Sequence, residues 1–238
     1  MKQIIAMHGW GGDHQIWEPW KKYFNSHGWI WQNAERGYGK SKPNQPNWIN
    51  SSQQNSQNQQ VLICHSLGAH LIRKQILTTS TDIILINSFS SFIPNNREHR
   101  LLKTALIGMK KALGTSQEQQ MLRTFLTKSC HPHSIDDFPQ SPITKDLSVS
   151  GRNILQKDLE LLIHTSGLPY GFPLQARVLN IAAKEDSIVS AATTNLLLQD
   201  LQNHLKVKAT SWIIDGVGHS FIQPEIIKRV KNWLEVRI

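Results

Sequence analysis

The chain has 238 residues, two cysteines and a formal net charge of +9 at pH 7, with 26 Lys and Arg against 17 Asp and Glu. That length suits one α/β domain carrying an inserted subdomain. The composition excludes a disulfide framework built on Cys64 and Cys130 alone, and no stretch approaches the ~18 apolar residues of a membrane span.

No secretory signal is expected, because the apolar run from Ile4 to Met7 stops at His8-Gly9. A cytoplasmic protein without membrane contact is expected. The basic surplus favours acidic partners, yet no run of basic residues exceeds two, and neither zinc-ligand spacing nor an RNP-type strand occurs. Nucleic-acid binding is therefore not expected.

In chain order, Gln3 to Met7 reads as a strand running into His8-Gly9-Trp10-Gly11-Gly12. Ile16 to Phe24 has helical spacing, with Trp17, Trp20 and Phe24 on one side, and Trp29 to Trp31 reads as the next strand. Arg36 to Ser41 is a turn, and Asn44 to Gln60 is an Asn/Gln/Ser-rich surface tract. Strand Val61 to Ile63, helix Leu67 to Leu77 and strand Ile83 to Ile86 follow. Roughly eighty mainly helical residues then interrupt the rhythm. It resumes with strand Val178 to Ala182, helix Ala191 to Leu201, strand Ala209 to Ile214 and helix Pro224 to Trp233. Strand and helix alternating in this way predict a mostly parallel central sheet with helices on both faces. The interruption predicts a helical cap at 91–174, inserted into a core of residues 1–90 and 175–238.

Cys64-His65-Ser66-Leu67-Gly68-Ala69 sits between a strand and a helix. It is the G-x-S-x-G elbow with Cys64 in place of the first glycine. A sharp turn there lifts a serine hydroxyl clear of the sheet, where an imidazole can reach it. Cys64 itself, two residues from the apex, is expected to point into the turn and not to react. The order Ser…Asp…His is the one this elbow requires. His219, in Gly216-Val217-Gly218-His219-Ser220-Phe221, follows an apolar strand and is the expected base. Asp186, in Lys184-Glu185-Asp186-Ser187, is the favoured acid, with Glu185 adjacent and Asp215 as a competitor. The backbone N–H groups of Trp10 and Leu67 are the expected oxyanion hole. His8, His65 and His70 are expected to order their surroundings rather than react. No metal or organic cofactor is needed for this chemistry.

These motifs, H-G-W-G-G, R-G-Y-G-K-S, C-H-S-L-G-A, K-E-D-S-I-V and G-V-G-H-S-F, together resemble the α/β-hydrolase superfamily. Within it the chain is similar to the pimeloyl-acyl-carrier-protein methyl ester esterases of biotin synthesis. Cys64 departs from the usual glycine, and His65 from that family's frequent tryptophan. The resemblance implies an α/β-hydrolase fold, hydrolysis of the methyl ester masking a pimeloyl chain on its carrier, and a pocket lined by Trp10 and Leu67. A general short-chain carboxylesterase or thioesterase is the enzymatic alternative. A non-catalytic binding protein on the same fold is the other.

Helical geometry from Arg97 to Leu113 puts Leu102, Ala105, Leu106, Met109 and Leu113 on one side. Arg97, Arg100, Lys103, Lys110 and Lys111 fall opposite. Between Arg97 and Lys128, seven basic residues stand against Glu98 and Glu118. Such a face suits an acidic carrier protein, and equally suits the solvated side of a cap helix. Phe125 is expected to contact the acyl chain, and the protein to act as a monomer.

Overall fold

The apolar runs pair into six strands: β1 (Lys2–Met7), β2 (Ile30–Ala34), β3 (Gln59–His65), β4 (Asp82–Ile86), β5 (Arg177–Ala183) and β6 (Thr210–Ile214). In this computed structural model, which describes residues 1–49, 58–97, 99–145, 147–220 and 223–236, they form one sheet in the order β2-β1-β3-β4-β5-β6. Every pairing is parallel. Residues 50–57 of the Asn/Gln/Ser tract, Glu98 and Phe221 lie outside the described residues.

The helices are α1 (Glu18–Asn25), α2 (Gly68–Leu71), α3 (Lys74–Thr78), α4 (His99–Ala112), α5 (Glu118–Cys130), α6 (Pro142–Lys145), α7 (Val149–His164), α8 (Ala191–His204) and α9 (Pro224–Glu235). Because strand side chains alternate in direction, consecutive apolar residues serve opposite faces. Ile4, Ala6, Val61, Ile63, Leu179 and Ile181 pack under Trp20 and Phe24 of α1 and Ile227, Val230 and Leu234 of α9. Ile5, Met7, Leu62, Cys64, Ile83 and Leu85 face Leu77 of α3, Leu155 and Leu159 of α7, and Leu197 of α8. The helices on both faces explain why the strands are apolar almost throughout.

The expected helix from Leu67 to Leu77 is two helices, because Ile72 and Arg73 are extended, with ψ 146° and 140°. A segment preceding β3 wedges into the break. Gln45 donates to Leu71 O at 3.2 Å, Arg73 donates to Gln45 O, and the Trp48 indole donates to Ile76 O at 3.3 Å. The bond to Leu71 O satisfies a carbonyl that a continuous helix would have satisfied itself.

β1 lies between β2 and β3, so the chain leaves it to one side and later returns on the other. A crevice opens above the carboxyl ends of strands at such a reversal. Met7 pairs with Cys64 in the sheet, which brings the loop after β1 alongside the elbow after β3.

Candidate active site

Ser66 is the first residue past β3, with φ 53°. A non-glycine residue in this left-handed region costs ~1–3 kcal/mol and persists only where its neighbours over-determine it. Here Ser66 N–H donates to Ile86 O at 2.9 Å and the Ser88 hydroxyl donates to Ser66 O at 2.7 Å. Crowding falls on two glycines. A β-carbon at Gly68 would lie 2.6 Å from Met7 O, and one at Gly9 would lie 2.8 Å from Ser66 Cβ. Cys64 escapes the crowding. It is the penultimate residue of β3, and its side chain is fully buried in the core rather than in the turn. Burial alone pushes its thiol pKa up, away from reactivity.

The three expected residues meet. His219 Nε2 lies 3.0 Å from Ser66 Oγ, and His219 Nδ1 lies 2.8 Å from Asp186 Oδ2. The other Asp186 oxygen accepts the N–H groups of Ile188 and Val189 at 2.7 and 2.8 Å. Burial works to raise the Asp186 pKa, but the His219 imidazole and these two N–H groups outweigh it and hold the carboxyl below its usual value. Asp186 is thus a carboxylate that accepts a hydrogen bond from Nδ1–H, leaving Nε2 to accept from the serine hydroxyl. The competitors are engaged elsewhere. Glu185 accepts the Val217 N–H at 3.1 Å, and Asp215 pairs with Lys184 at 2.6 Å on the surface.

Trp10 N–H and Leu67 N–H have no protein acceptor among the described residues. The Trp10 amide is oriented from behind. Gly9 O takes the Gly12 N–H at 3.3 Å and lies 2.9 Å from His8 Nδ1, which must carry the proton because a carbonyl only accepts. The peptide is planar and trans, so fixing Gly9 C=O turns Trp10 N–H the opposite way. The other nitrogen of the buried His8 ring, Nε2, lies 3.2 Å from Glu35 Oε1 and 3.1 Å from Arg36 N, and can bond only one of them at a time. Glu35 also takes the His14 ring at 2.8 Å and the Gly37 N–H at 2.8 Å. Sequence reading missed Glu35; its only signal was an acidic residue at the end of an otherwise neutral strand.

A cavity of about 690 Å³ opens beside His219 and His65, between the Gly9–Gly12 loop and helices α5 and α6. Its apolar lining includes Trp10, Leu122, Phe125, Leu126, Phe138 and Ile143. The Trp10 indole donates to Leu155 O at 2.9 Å and meets Phe125 edge-on, with centroids 4.8 Å apart. Leu67, expected by resemblance to line the pocket, is instead wholly buried in the core beneath the elbow, where it immediately precedes α2. Of the cap residues singled out, Phe125 reaches the cavity. Arg97, Arg100, Lys103, Lys110 and Lys111 do not; they lie on or just before α4, and Lys110 pairs with Glu160 at 3.2 Å. The basic residues at the cavity are Arg123 and Lys145, with Asp136 beside them in the lining.

Two ties bind the cavity roof to the site. Ser220 N–H donates to Ser129 O at 2.8 Å at the end of α5, and the Ser141 hydroxyl donates to Gly11 O at 3.0 Å just before α6.

No protein-family model matches the chain, and no curated protein matches it. Among solved structures it is similar to an esterase from Exiguobacterium antarcticum, with TM-score 0.71 and 15% identity over 99% of this chain and 92% of that one. It is also similar to the enol-lactonase from Burkholderia xenovorans LB400, with TM-score 0.67 and 14% identity over 99% and 92%. A bromoperoxidase from Bacillus anthracis aligns with TM-score 0.65 and 14% identity over 98% and 90%. At these identities the likeness speaks for architecture: the chain has the α/β-hydrolase fold.

Proposed function

We propose that the protein is a serine carboxylesterase working through an acyl-enzyme. The observation that carries this reading is the unbroken row Asp186–His219–Ser66, at 2.8 and 3.0 Å, ending beside an apolar cavity. Ser66 Oγ attacks the ester carbonyl while His219 Nε2 takes its proton, and Asp186 stabilises the imidazolium. The oxyanion forms within reach of the Trp10 and Leu67 amides, each of which contributes ~3 kcal/mol in such sites. His219 returns the proton to the departing alkoxide, and the alcohol leaves. Water, deprotonated by the same imidazole, then adds to the acyl-enzyme, and Ser66 recovers its proton as the free acid departs. Ser66→Ala should abolish both ester turnover and labelling by a fluorophosphonate probe while leaving the fold intact. Retained turnover in that variant overturns the reading.

The finer reading is hydrolysis of the pimeloyl-acyl-carrier-protein methyl ester by a cytoplasmic monomer, without metal or cofactor. Residues 91–174 would serve as its cap. Supporting it are the motif resemblance, an apolar-lined cavity of about 690 Å³, and, as a docking surface for an acidic carrier, Arg123 of α5 beside that cavity with the basic residues of α4 farther from it. Comparing the carrier-bound methyl ester with a short p-nitrophenyl ester tests it. Equal kcat/KM for both favours the general short-chain esterase.

A further inference from the structure

Two non-glycine residues among those described have positive φ, Ser66 at 53° and Asn87 at 46°. They occupy equivalent places, each the first residue past its strand, on the adjacent strands β3 and β4. Strain held at a buried position calls for a function, and the elbow accounts only for Ser66.

Asn87 has two neighbours of consequence. Its Oδ1 accepts the Ala183 N–H at 2.7 Å at the end of β5, the strand leading to Asp186. Its Nδ2 donates to His219 O at 2.7 Å and reaches Gly218 O at 3.2 Å. The amide orientation is unambiguous, because a backbone N–H needs an oxygen opposite it and the two carbonyls need a donor. The Asn87 main-chain N–H adds a bond to Ile181 O at 2.8 Å. One side chain therefore joins the strand bearing the acid to the loop bearing the base.

The same His219 oxygen takes a second donor. His65 Nε2 lies 2.9 Å from it, and the His65 and His219 rings are 4.8 Å apart. Burial, reinforced by the neighbouring His219, keeps His65 neutral, with its pKa down at about 3. A neutral ring donates this hydrogen bond without placing a positive charge beside the imidazolium that forms during turnover.

We propose that Asn87 and His65 are positioning residues that jointly hold the His219 main-chain carbonyl, so that its imidazole stays in line between Asp186 and Ser66. The proposal rests on the reading of that row as the reacting groups. Only asparagine combines a donor, an acceptor and tolerance of a left-handed backbone on so short a side chain. Aspartate would set an oxygen against two carbonyl oxygens, and glycine would keep the backbone but lose the grip.

The test uses Asn87→Gly, His65→Phe, their double variant and His65→Gln. Ester kinetics are read beside the downfield NMR proton of the His219–Asp186 hydrogen bond, which needs no substrate. Each loss-of-donor variant should lower kcat about tenfold and the pair on the order of 100-fold, with KM within about twofold of wild type. The downfield proton should broaden in the double variant, and His65→Gln should recover much of what His65→Phe loses. Wild-type kcat and an unchanged downfield proton in the double variant overturn the proposal. Should Asn87→Gly fail to fold, the His65→Phe and His65→Gln pair decides it by the same two readouts. A downfield proton that broadens in variants of a chain without esterase activity would support the clamp and reject the ester reading, so the two fail separately.

Discussion

Arg36, on the turn after β2, grips Asp158 of α7 through two parallel hydrogen bonds, Nε to Oδ2 at 2.7 Å and Nη2 to Oδ1 at 2.6 Å. The Tyr38 hydroxyl donates to the same carboxylate at 2.7 Å. Asp158 is buried, and α7 is thereby anchored to the sheet. Three residues earlier on that helix, Leu155 O receives the Trp10 indole. The ion pair thus supports the loop that carries the expected oxyanion donor. Asp158→Ala would strand the Arg36 guanidinium and a buried tyrosine hydroxyl. It should cost about 3 kcal/mol of stability, near the lower end for a broken buried pair because Arg36 is still partly open to water. Urea unfolding of the variant against wild type measures this.

Acid should lower the stability of the protein over two overlapping pH ranges to which His65 and Glu35 contribute. The folded state refuses a proton at His65 down to about pH 3, whereas the unfolded chain accepts one near 6.5. Glu35 is buried, which raises its pKa, but hydrogen bonds and charge from His8, the Gly37 N–H and His14 bring it down to about 2 from 4.5. In both cases the unfolded state binds more protons, so stability falls as pH falls. The His65 part is lost from 6.5 toward 3, and the Glu35 part from 4.5 toward 2. His65→Gln should flatten the plot of unfolding free energy against pH between 6 and 4 by about one proton. An unchanged slope would contradict the assignment.

The parts of the site legible in the sequence were those written as short local patterns. Ser66, Asp186 and His219 each follow an apolar strand within a few residues, and the fold's parallel order brings such strand ends together. Groups defined by distant partners were not legible. Glu35 meets His8 across 27 positions, Asp158 meets Arg36 across 122, and Asn87 meets His219 across 132. The break at Ile72 and Arg73 was hidden for the same reason, since its cause is Gln45 and Trp48. Periodicity gave α4 an apolar side that the structure keeps at Leu106, with Met109 and Leu113 packed against the core, whereas Ala105, expected on that side, is exposed. It could not say that α5 and α6, not α4, border the cavity, because an amphipathic pattern identifies a buried face without naming what it is buried against.

Replacing Cys64 by the glycine usual at its position should not improve the enzyme. The side chain lies in β3 among core residues, well away from the contacts that make Gly9 and Gly68 necessary. Cys64→Gly removes that packing and loosens a strand interior, costing about 1–2 kcal/mol. The thermal midpoint should drop while kcat stays at the wild-type level. Native wild-type protein should also resist iodoacetamide at Cys64, because burial raises the thiol pKa and blocks access. Mass spectrometry of the alkylated protein, native and unfolded, reads this directly.

The end of α5 and the loop bearing His219 come close at Gly218, where an added β-carbon would lie 1.7 Å from His131 O. Both partners there are backbone, so neither side can yield by turning a rotamer. Gly218→Ala must push the end of α5 off the loop, lengthening the bond from Ser220 N–H to Ser129 O, now 2.8 Å. His219 is tethered on its other flank by Asn87 and His65, so α5 should move more than the imidazole does. Leu122, Phe125 and Leu126 of α5 line the cavity, and their displacement reshapes the acyl site. The variant should therefore raise KM severalfold while lowering kcat less, with about 1–3 kcal/mol of lost stability from overpacking. Steady-state kinetics on two esters of different acyl length separate this from damage to the base. A shifted α5 penalises the longer chain more, whereas a displaced His219 slows both alike.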